Sequence, residues 1–188
     1  MDHQALRQHM ECFTALTDEQ FDKAFSAFKR KSLKKHQVLI REGDYVQNTY
    51  WVIKGLLVSK FIDDQGSEII IQFAVENCWI TDQNAFYNQE KSIFRVIALE
   101  DSDLYSLSWQ MRENICRKIP EIGHFFLKKA NDSFVKQQKR LLTYLTADAR
   151  ERFDVLIKEY PQLLQRVSKK TLAAYLGVSR ETLSRLQK

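Results

Sequence analysis

The chain has 188 residues, a length that suits one large domain or two small ones. With 44% hydrophobic and 28% charged residues, it has the composition of an ordinary folded soluble protein. No apolar run approaches the ~18 residues of a membrane span, and the N-terminus lacks the basic and apolar regions of a secretion signal, so we predict a cytoplasmic protein that does not act at a membrane.

The residue types that usually carry catalysis or bind metals show no such arrangement. The three cysteines, Cys12, Cys78 and Cys116, are far apart, and the four histidines have no ligand spacing. The sequence also has no glycine-rich phosphate loop, no paired histidine and carboxylate motif and no nucleophile elbow. We therefore predict no catalytic residues, no metal site and no enzymatic activity.

Residues 1–30 predict helices that dock on a core. Thr17 and Gln20 have the spacing of a capping box, in which each side chain accepts a hydrogen bond from the backbone N–H of the other residue. Large and small apolar residues then follow at helical spacing: Phe21, Ala24, Phe25 and Phe28. This spacing favours a core contact over a binding site.

From residue 37 to residue 108 the pattern changes to short strands separated by turn residues. Six segments are rich in β-branched and aromatic residues: 37–41, 49–54, 56–62, 67–75, 94–100 and 103–108. Strands at this spacing predict a sandwich or barrel, and an antiparallel β-roll fits them. With helices at both ends of the roll, the predicted fold class is α+β.

A long helix is predicted after a short one that begins behind Ser108 and ends near Pro120. Residues 121–144 contain no proline and no glycine after Gly123. A stripe recurs there in steps of three and four: Ile122, Phe126, Ala130, Ser133, Gln137, Leu141 and Tyr144. We interpret the stripe as a contact with a second copy of the chain, because a helix about 36 Å long exceeds what a small β-roll needs. The alternative is an ordinary helix packed within one chain.

The C-terminal segment 169–188 has the pattern of a helix-turn-helix. It follows a predicted helix at 149–161 and a short bridge at 162–167. Small and apolar residues mark where its two short helices touch: Leu172, Ala173, Leu176, Val178, Leu183 and Leu186. Gly177 lies at the turn, where a positive φ is often required, and Ser168 and Ser179 stand at the N-cap positions.

The second of these helices has one polar face. Four polar residues fall within an arc of about 140°: Arg180, Glu181, Ser184 and Arg185. Arginine can donate two hydrogen bonds to guanine and glutamate can accept one from cytosine, in a major groove that admits a helix. The pattern predicts a DNA-reading helix. The alternative is a solvated amphipathic helix in another kind of helical hairpin.

Positive charge is concentrated in the same segment. Residues 162–188 hold six basic residues and one acid, Glu181, so their net charge is +5. The whole chain is also +5, and the rest of it has 23 residues of each sign. This distribution predicts that the C-terminal segment alone contacts phosphates.

In their order, these parts resemble the Crp/Fnr (catabolite-activator) family of bacterial transcription regulators. The segment Leu176–Arg185 is similar to the family's recognition segment, and Glu42–Asp44 followed by Tyr50–Gly55 is similar to its early strands. The resemblance implies three parts in chain order: a cyclic-nucleotide-binding-like sensor domain at 1–120, a dimerisation helix at 121–146 and a helix-turn-helix DNA-binding domain at 147–188.

The resemblance also implies residue roles and partners. In the family, the residues matching Arg180, Glu181 and Arg185 read bases, and our predicted DNA-binding set adds four neighbours: Lys169, Lys170, Ser179 and Ser184. The implied function is sequence-specific regulation of transcription by a homodimer on double-stranded DNA, with RNA polymerase and an unidentified small-molecule effector as candidate partners. The alternative is a ligand-sensing or structural dimer of the same fold that has lost DNA binding.

The sensor departs from the family's cyclic-AMP site. There, a Gly-Glu pair binds the ribose and an arginine some ten residues later binds the phosphate, whereas here Thr81 and Asp82 align with the pair and Ser92 with the arginine. These three are the candidate ligand residues, and the alternative for Asp82 is a surface or capping carboxylate. Without a guanidinium, a buried phosphate lacks its charge-assisted partner. Arg95 lies three residues further on, and along a strand it would point to the opposite face. We predict no cyclic-AMP binding in the family's manner and assign no cofactor.

Two further features of the family are also unmatched. The iron–sulfur branch has an N-terminal cysteine cluster, of which only Cys12 is present, and no histidine is placed for haem. Many relatives continue into a β-hairpin wing, whereas this sequence stops three residues after Arg185. We therefore expect a fold lacking most or all of the wing and a shallower salt dependence of DNA binding.

Overall fold

The computed structural model describes residues 2–187. The chain divides into two compact units, Met1–Phe61 with Gln72–Ala130 and Ile62–Ile71 with Asn131–Lys188. The predicted α+β class is confirmed, because antiparallel strands form two sheets and helices precede and follow them. The three-part domain division at 1–120, 121–146 and 147–188 stays a prediction.

Nine helices lie within residues 2–187. Their bounds are α1 Asp2–Glu11, α2 Asp18–Phe25, α3 Gln83–Asn88, α4 Trp109–Lys118, α5 Pro120–Thr146, α6 Ala149–Glu159, α7 Leu163–Arg166, α8 Lys169–Leu176 and α9 Arg180–Leu186. None of these described helices has the length and apolar character needed to cross a membrane.

Eight strands form two four-stranded sheets. Their bounds are β1 Lys29–Leu33, β2 Val38–Ile40, β3 Asn48–Lys54, β4 Leu57–Ile62, β5 Glu68–Ala74, β6 Trp79–Ile80, β7 Arg95–Ala98 and β8 Ser102–Ser108. One sheet has the order β1-β8-β3-β6 and the other β2-β7-β4-β5. All six segments predicted as strands contain one, so the β-roll is confirmed.

The predicted helical stretch at 1–30 extends too far at its C-terminal end. The capping box is present: the Gln20 N–H donates to the Thr17 hydroxyl over 3.2 Å, and the Thr17 N–H donates to the Gln20 side chain over 2.9 Å. Lys29 and Arg30, however, begin β1, in which four of five residues are exposed. This strand has no apolar alternation to reveal it. It forms because β8 supplies its hydrogen-bonding partner.

Two apolar clusters hold the first unit together. One joins α1, α2, α4 and the start of α5 around Trp51, Phe21 and Phe125, all at most 1% exposed. The other fills the interior of the two sheets around Val52, Leu104 and Phe86. Because Phe86 lies in α3, the second cluster fixes the segment that follows β6, where the predicted ligand residues lie.

Gly55 fixes the turn between β3 and β4. Its φ is +105°, a value that residues with a Cβ rarely adopt. A Cβ at this position would lie 2.7 Å from the Cα of Ser102, well inside van der Waals contact. The turn therefore needs glycine for its backbone conformation and for space.

Helix α5 confirms the predicted long helix but corrects its stripe. Ile122 and Phe126 are buried in the core of the first unit, so they are not available to a second chain. Three exposed apolar residues recur every seven positions: Leu127 at 59%, Phe134 at 63% and Leu141 at 58% exposure. Leu141 belongs to the predicted stripe, and the predicted Tyr144 is exposed as well. Leu142 and Leu145 extend this apolar surface toward the end of the helix. The predicted positions Ser133 and Gln137 are polar and exposed.

Candidate functional site

Helices α8 and α9 form the predicted helix-turn-helix in the second unit. Ser168 caps α8 by accepting from the Thr171 N–H over 3.2 Å, and Ser179 caps α9 by accepting from the Thr182 N–H over 3.1 Å. Gly177 ends α8 in the left-handed conformation, with φ 66° and ψ 37°. Both predicted caps and the predicted glycine turn are therefore present.

Helix α9, predicted to read DNA, has a buried and an exposed side. Leu183 has no exposed surface and packs into the second unit, in which Leu172 and Leu176 of α8 are also buried. Arg180, Glu181 and Arg185 are exposed. Ser184, also predicted for the polar face, is half-buried. Three of the four predicted polar-face residues are thus open to a partner.

Glu181 remains ionised under ordinary conditions. Its pKa is lowered chiefly because the carboxylate accepts from its own backbone N–H, and next because it accepts from the Ser179 hydroxyl. Arg180 and Arg185 lower the pKa further by their positive charge. The polar face therefore presents two guanidinium donors and one carboxylate acceptor, the groups that read guanine and cytosine edges.

The other predicted DNA-binding residues lie at helix N-termini. Lys169 and Lys170 are exposed in the first turn of α8, and Ser179 is the exposed N-cap of α9. The Ser179 hydroxyl is already used in the cap and lies 3.1 Å from the Thr182 hydroxyl. The two lysines are therefore suited to phosphates, while Ser179 mainly fixes the start of the recognition helix.

Side chains outside the helix-turn-helix support it, and no local sequence pattern identified them. Arg150, near the start of α6, donates to the Leu186 carbonyl over 3.0 Å and so caps the C-terminal end of α9. Tyr144 of α5 lies beside the turn, because a Cβ on Gly177 would be 3.1 Å from the Tyr144 hydroxyl oxygen. These contacts connect positions more than 30 residues apart, beyond the reach of helical periodicity.

The predicted ligand residues come together in the first unit. Asp82 is 1% and Ser92 2% exposed, and the Ser92 hydroxyl donates to Asp82 Oδ2 over 2.8 Å. The same oxygen accepts from the Ile93 N–H over 3.3 Å, while Oδ1 accepts from the Ala85 N–H over 3.1 Å and so caps α3. The Asp82 carboxylate is thus surrounded by donors from its own chain.

Thr81 is also engaged internally. Its hydroxyl donates to the Asn48 carbonyl over 2.9 Å, and the residue is 6% exposed. Two surface depressions of about 320 and 420 Å³ lie elsewhere in this unit, one against α2 and the start of α5 and the other between α1 and α2. Neither is lined by Thr81, Asp82 or Ser92.

The prediction that Arg95 points away from Ser92 along one strand is wrong, because the two residues do not share a strand. Ser92 lies in the irregular segment before β7, whose first residue is Arg95, so strand alternation does not relate the two. The loop is held instead by backbone bonds, with Gly43 N–H donating to the Ser92 carbonyl over 2.7 Å and Ser92 N–H donating to the Asp44 carbonyl over 2.9 Å.

Comparison with known proteins finds similarity in both parts of the chain. The family model for the cyclic nucleotide-binding domain matches residues 30–118. The regulatory protein HlyX of Actinobacillus pleuropneumoniae is 22% identical over 169 residues, covering 84% of this chain and 70% of its own length. The anaerobic regulatory protein of Haemophilus influenzae is 23% identical over 183 residues, covering 91% of this chain and 70% of its own length.

Solved structures give the same fold. FixK2 from Bradyrhizobium japonicum superposes with a TM-score of 0.73 at 15% identity, covering 85% of this chain and 82% of its own. The c-di-GMP-responsive global regulator CLP of Xanthomonas campestris has a TM-score of 0.72 at 14% identity, covering 90% of this chain and 89% of its own. The chain therefore contains a match to the cyclic nucleotide-binding domain, shares the fold of these regulators and is similar to Crp/Fnr regulators over most of its length.

The similarity to Crp/Fnr regulators extends beyond the cyclic nucleotide-binding domain. The domain model ends at residue 118, whereas the match to the Haemophilus influenzae protein covers 91% of the chain. The relatives named above are regulatory proteins. The similarity to these regulatory proteins agrees with the predicted role in transcription regulation, while the residues that contact DNA or a ligand stay predictions.

Proposed function

We propose that the chain is a sequence-specific DNA-binding transcription regulator that acts as a homodimer. The observation that carries the proposal is the exposed polar face of α9, where Arg180, Glu181 and Arg185 project from a helix capped at its N-terminus and held by the buried Leu183. A solvated amphipathic helix has the same two sides, but the net charge of +5 in residues 162–188 and the similarity to regulatory proteins favour a DNA-reading helix.

The chemistry of this face fits a major groove. A guanidinium donates two parallel hydrogen bonds to guanine O6 and N7, and a carboxylate accepts from cytosine N4, so each contact distinguishes one base from the others. Lys169 and Lys170, exposed at the start of α8, supply charge for phosphates, which fixes position without reading sequence. Bases are thus read by α9, and α8 contributes backbone contacts.

Pairing of two chains is supported by the apolar surface of α5. Leu127, Phe134 and Leu141 are each more than half exposed and recur every seven residues, the spacing that lets two helices pack along a seam. A two-fold dimer would carry two recognition helices to half-sites about 34 Å apart. Changing Phe134 and Leu141 together to glutamate should convert the dimer to a monomer in sedimentation equilibrium. A native chain that sediments as a monomer contradicts this part of the proposal.

The sensor domain is proposed not to bind cyclic AMP in the family's manner. The carboxylate of Asp82 and the hydroxyl of Ser92 bond to each other, and no guanidinium stands at position 92 for the phosphate. A nucleotide would need to displace Ser92 and leave buried polar groups unsatisfied, which disfavours binding. Calorimetric titration is expected to show no binding, and micromolar or tighter affinity contradicts it. Contact with RNA polymerase and control by another effector stay predictions.

A binding-site selection with random duplexes tests the function directly. The native chain should enrich a two-fold symmetric sequence, and Arg180→Ala and Arg185→Ala should each weaken its binding by about 1–3 kcal/mol and relax preference at one base position. Arg117→Ala, at an exposed arginine of α4, is the matched control and should leave affinity and preference unchanged. Enrichment of no duplex at low salt, where the electrostatic attraction is greatest, would leave the structural-dimer alternative standing.

A further inference from the structure

Arg140 on α5 contacts two other elements of the second unit. Its Nη1 donates to the Ile71 carbonyl, and its Nη2 donates to the Ile70 carbonyl over 3.0 Å. Its guanidinium carbon also lies 4.3 Å from the centre of the Tyr175 ring. One side chain therefore bridges the hairpin tip, residues 62–71, to α8, the first helix of the helix-turn-helix.

The guanidinium is the chemical group that can make both contacts at once. Its planar fork of N–H donors can bond two carbonyls, while its flat face stacks on an aromatic ring. β5 is the edge strand of its sheet, and a carbonyl that points outward from an edge strand has no strand partner and can accept from a side chain. A lysine at this position could bond a carbonyl but could not also stack.

Tyr175 lies close to the turn that sets the recognition helix. It is two residues before Gly177, and burial raises the pKa of its hydroxyl. Tyr144, one helical turn after Arg140, packs beside Gly177 itself. Two neighbouring side chains of α5 thus contact α8 and its turn, and one of them, Arg140, also bonds the hairpin tip.

We propose that Arg140 is a latch that couples the hairpin tip 62–71 to the helix-turn-helix. Displacement of the hairpin then changes DNA affinity, and DNA binding changes the hairpin by the same factor, because linkage between two sites is reciprocal. The DNA half of this inference rests on the proposed function. The coupling within the free chain does not.

Amide hydrogen exchange of the full chain without DNA tests the coupling. Tyr175→Leu removes the ring from α8, and exchange should become several-fold faster at residues 68–71 as well as around position 175. Tyr175→Phe keeps the ring and should leave the hairpin unchanged. In an Arg140→Met background, Tyr175→Leu should add nothing at the hairpin. The latch is overturned if Tyr175→Leu and Tyr175→Phe give the same exchange rates at the hairpin. It is also overturned if Tyr175→Leu accelerates hairpin exchange equally in the native and Arg140→Met backgrounds.

A second comparison adds a duplex from the selection. DNA should alter hairpin exchange in the native chain and not in Arg140→Met, whose DNA affinity should differ from native by about fivefold or more. Arg117→Met is the matched control, because it removes an exposed guanidinium of α4 in the first unit. Identical DNA responses in native and Arg140→Met chains overturn the latch. If no duplex binds, the proposed function fails, and the exchange data on the free chain alone decide the coupling.

Discussion

Replacing Gly177 with alanine should weaken the helix-turn-helix for two separable reasons. The first is the backbone: Gly177 is left-handed at φ 66°, a conformation that places a Cβ too close to the following carbonyl oxygen. The second is space: the new Cβ would lie 3.1 Å from the Tyr144 hydroxyl oxygen and 3.3 Å from its Cε2. Both terms act on the second unit.

The magnitude follows from those two terms. The left-handed conformation costs an alanine about 1–2 kcal/mol. Tyr144 is 54% exposed and can turn aside, so the steric term should be at the low end of overpacking, about 1 kcal/mol. With a urea dependence of about 1–3 kcal/mol per molar, a total of about 2–3 kcal/mol lowers the unfolding midpoint by roughly 1 M.

The positions of the tryptophans allow the unfolding of the first unit to be followed separately in urea. Trp51, Trp79 and Trp109 all lie in the first unit, so their fluorescence reports that unit, whereas far-ultraviolet circular dichroism also reports α6 to α9. Gly177→Ala should shift the dichroism transition and leave the fluorescence transition nearly unchanged.

Two companion variants separate the terms. Asparagine tolerates the left-handed region better than alanine, so Gly177→Asn should lose less stability than Gly177→Ala if the backbone term dominates. In a Tyr144→Ala background, Gly177→Ala should cost about 1 kcal/mol less, because the steric term is absent. If Gly177→Ala leaves the dichroism midpoint unchanged, neither the backbone term nor the steric term is correct. If Gly177→Ala loses the same stability in the native and Tyr144→Ala backgrounds, the steric contact with Tyr144 is contradicted.

Three further predictions concern the exposed lysines of α8, the buried carboxylate of Asp82 and the pH dependence of stability at Asp103. Lys169→Ala and Lys170→Ala should each weaken binding of all duplexes alike and lower the salt slope by about 1, measured by titration at several salt concentrations. A loss confined to one base position contradicts a phosphate role. Ser92→Ala should destabilise the first unit by about 1–3 kcal/mol, seen in tryptophan fluorescence during urea unfolding, because Asp82 loses a buried donor. An unchanged midpoint contradicts it. Asp103→Asn should destabilise by less than about 1 kcal/mol at pH 7 because the pair is partly exposed. The pKa of Asp103 is lowered chiefly by the Ser32 hydroxyl, so its contribution is complete above the ordinary range near pH 4 and lost as the pH falls through the lowered pKa. Thermal unfolding of the native chain and of Asp103→Asn should be compared at pH 7 and at about pH 2. A loss of stability at pH 2 equal to the loss at pH 7 contradicts the prediction.

The local features of this fold are readable from the sequence because neighbouring residues encode them. Ser108, Ser168 and Ser179 each cap the helix that follows, through a bond to an N–H three residues later. Gly177 ends α8 as predicted, and the family resemblance carried by 176–185 agrees with the comparisons. The predicted DNA-binding residues are exposed except Ser184, which is half-buried, and their contacts stay predictions.

The features that sequence reasoning missed depend on distant partners. β6 is two residues long and forms because Tyr50 and Trp51 of β3 pair with it. Helix α3 has six residues, and its N-cap Asp82 also bonds residues ten and eleven positions away. The stripe on α5 was wrong at its first two positions, because Ile122 and Phe126 face their own core. Its later apolar positions Ala130, Leu141 and Tyr144 are exposed. Helical periodicity does not distinguish these two environments.

The bond between Ser92 and Asp82 limits how a sensor of this fold can be engineered. An arginine placed at position 92 would meet a carboxylate that already caps α3, and it would pair with that carboxylate instead of waiting for an incoming phosphate. Restoring nucleotide recognition would therefore require a new cap for α3 as well as the arginine. In this chain Asp82 both caps α3 and occupies the position that a nucleotide site would need, so the two roles cannot be changed independently.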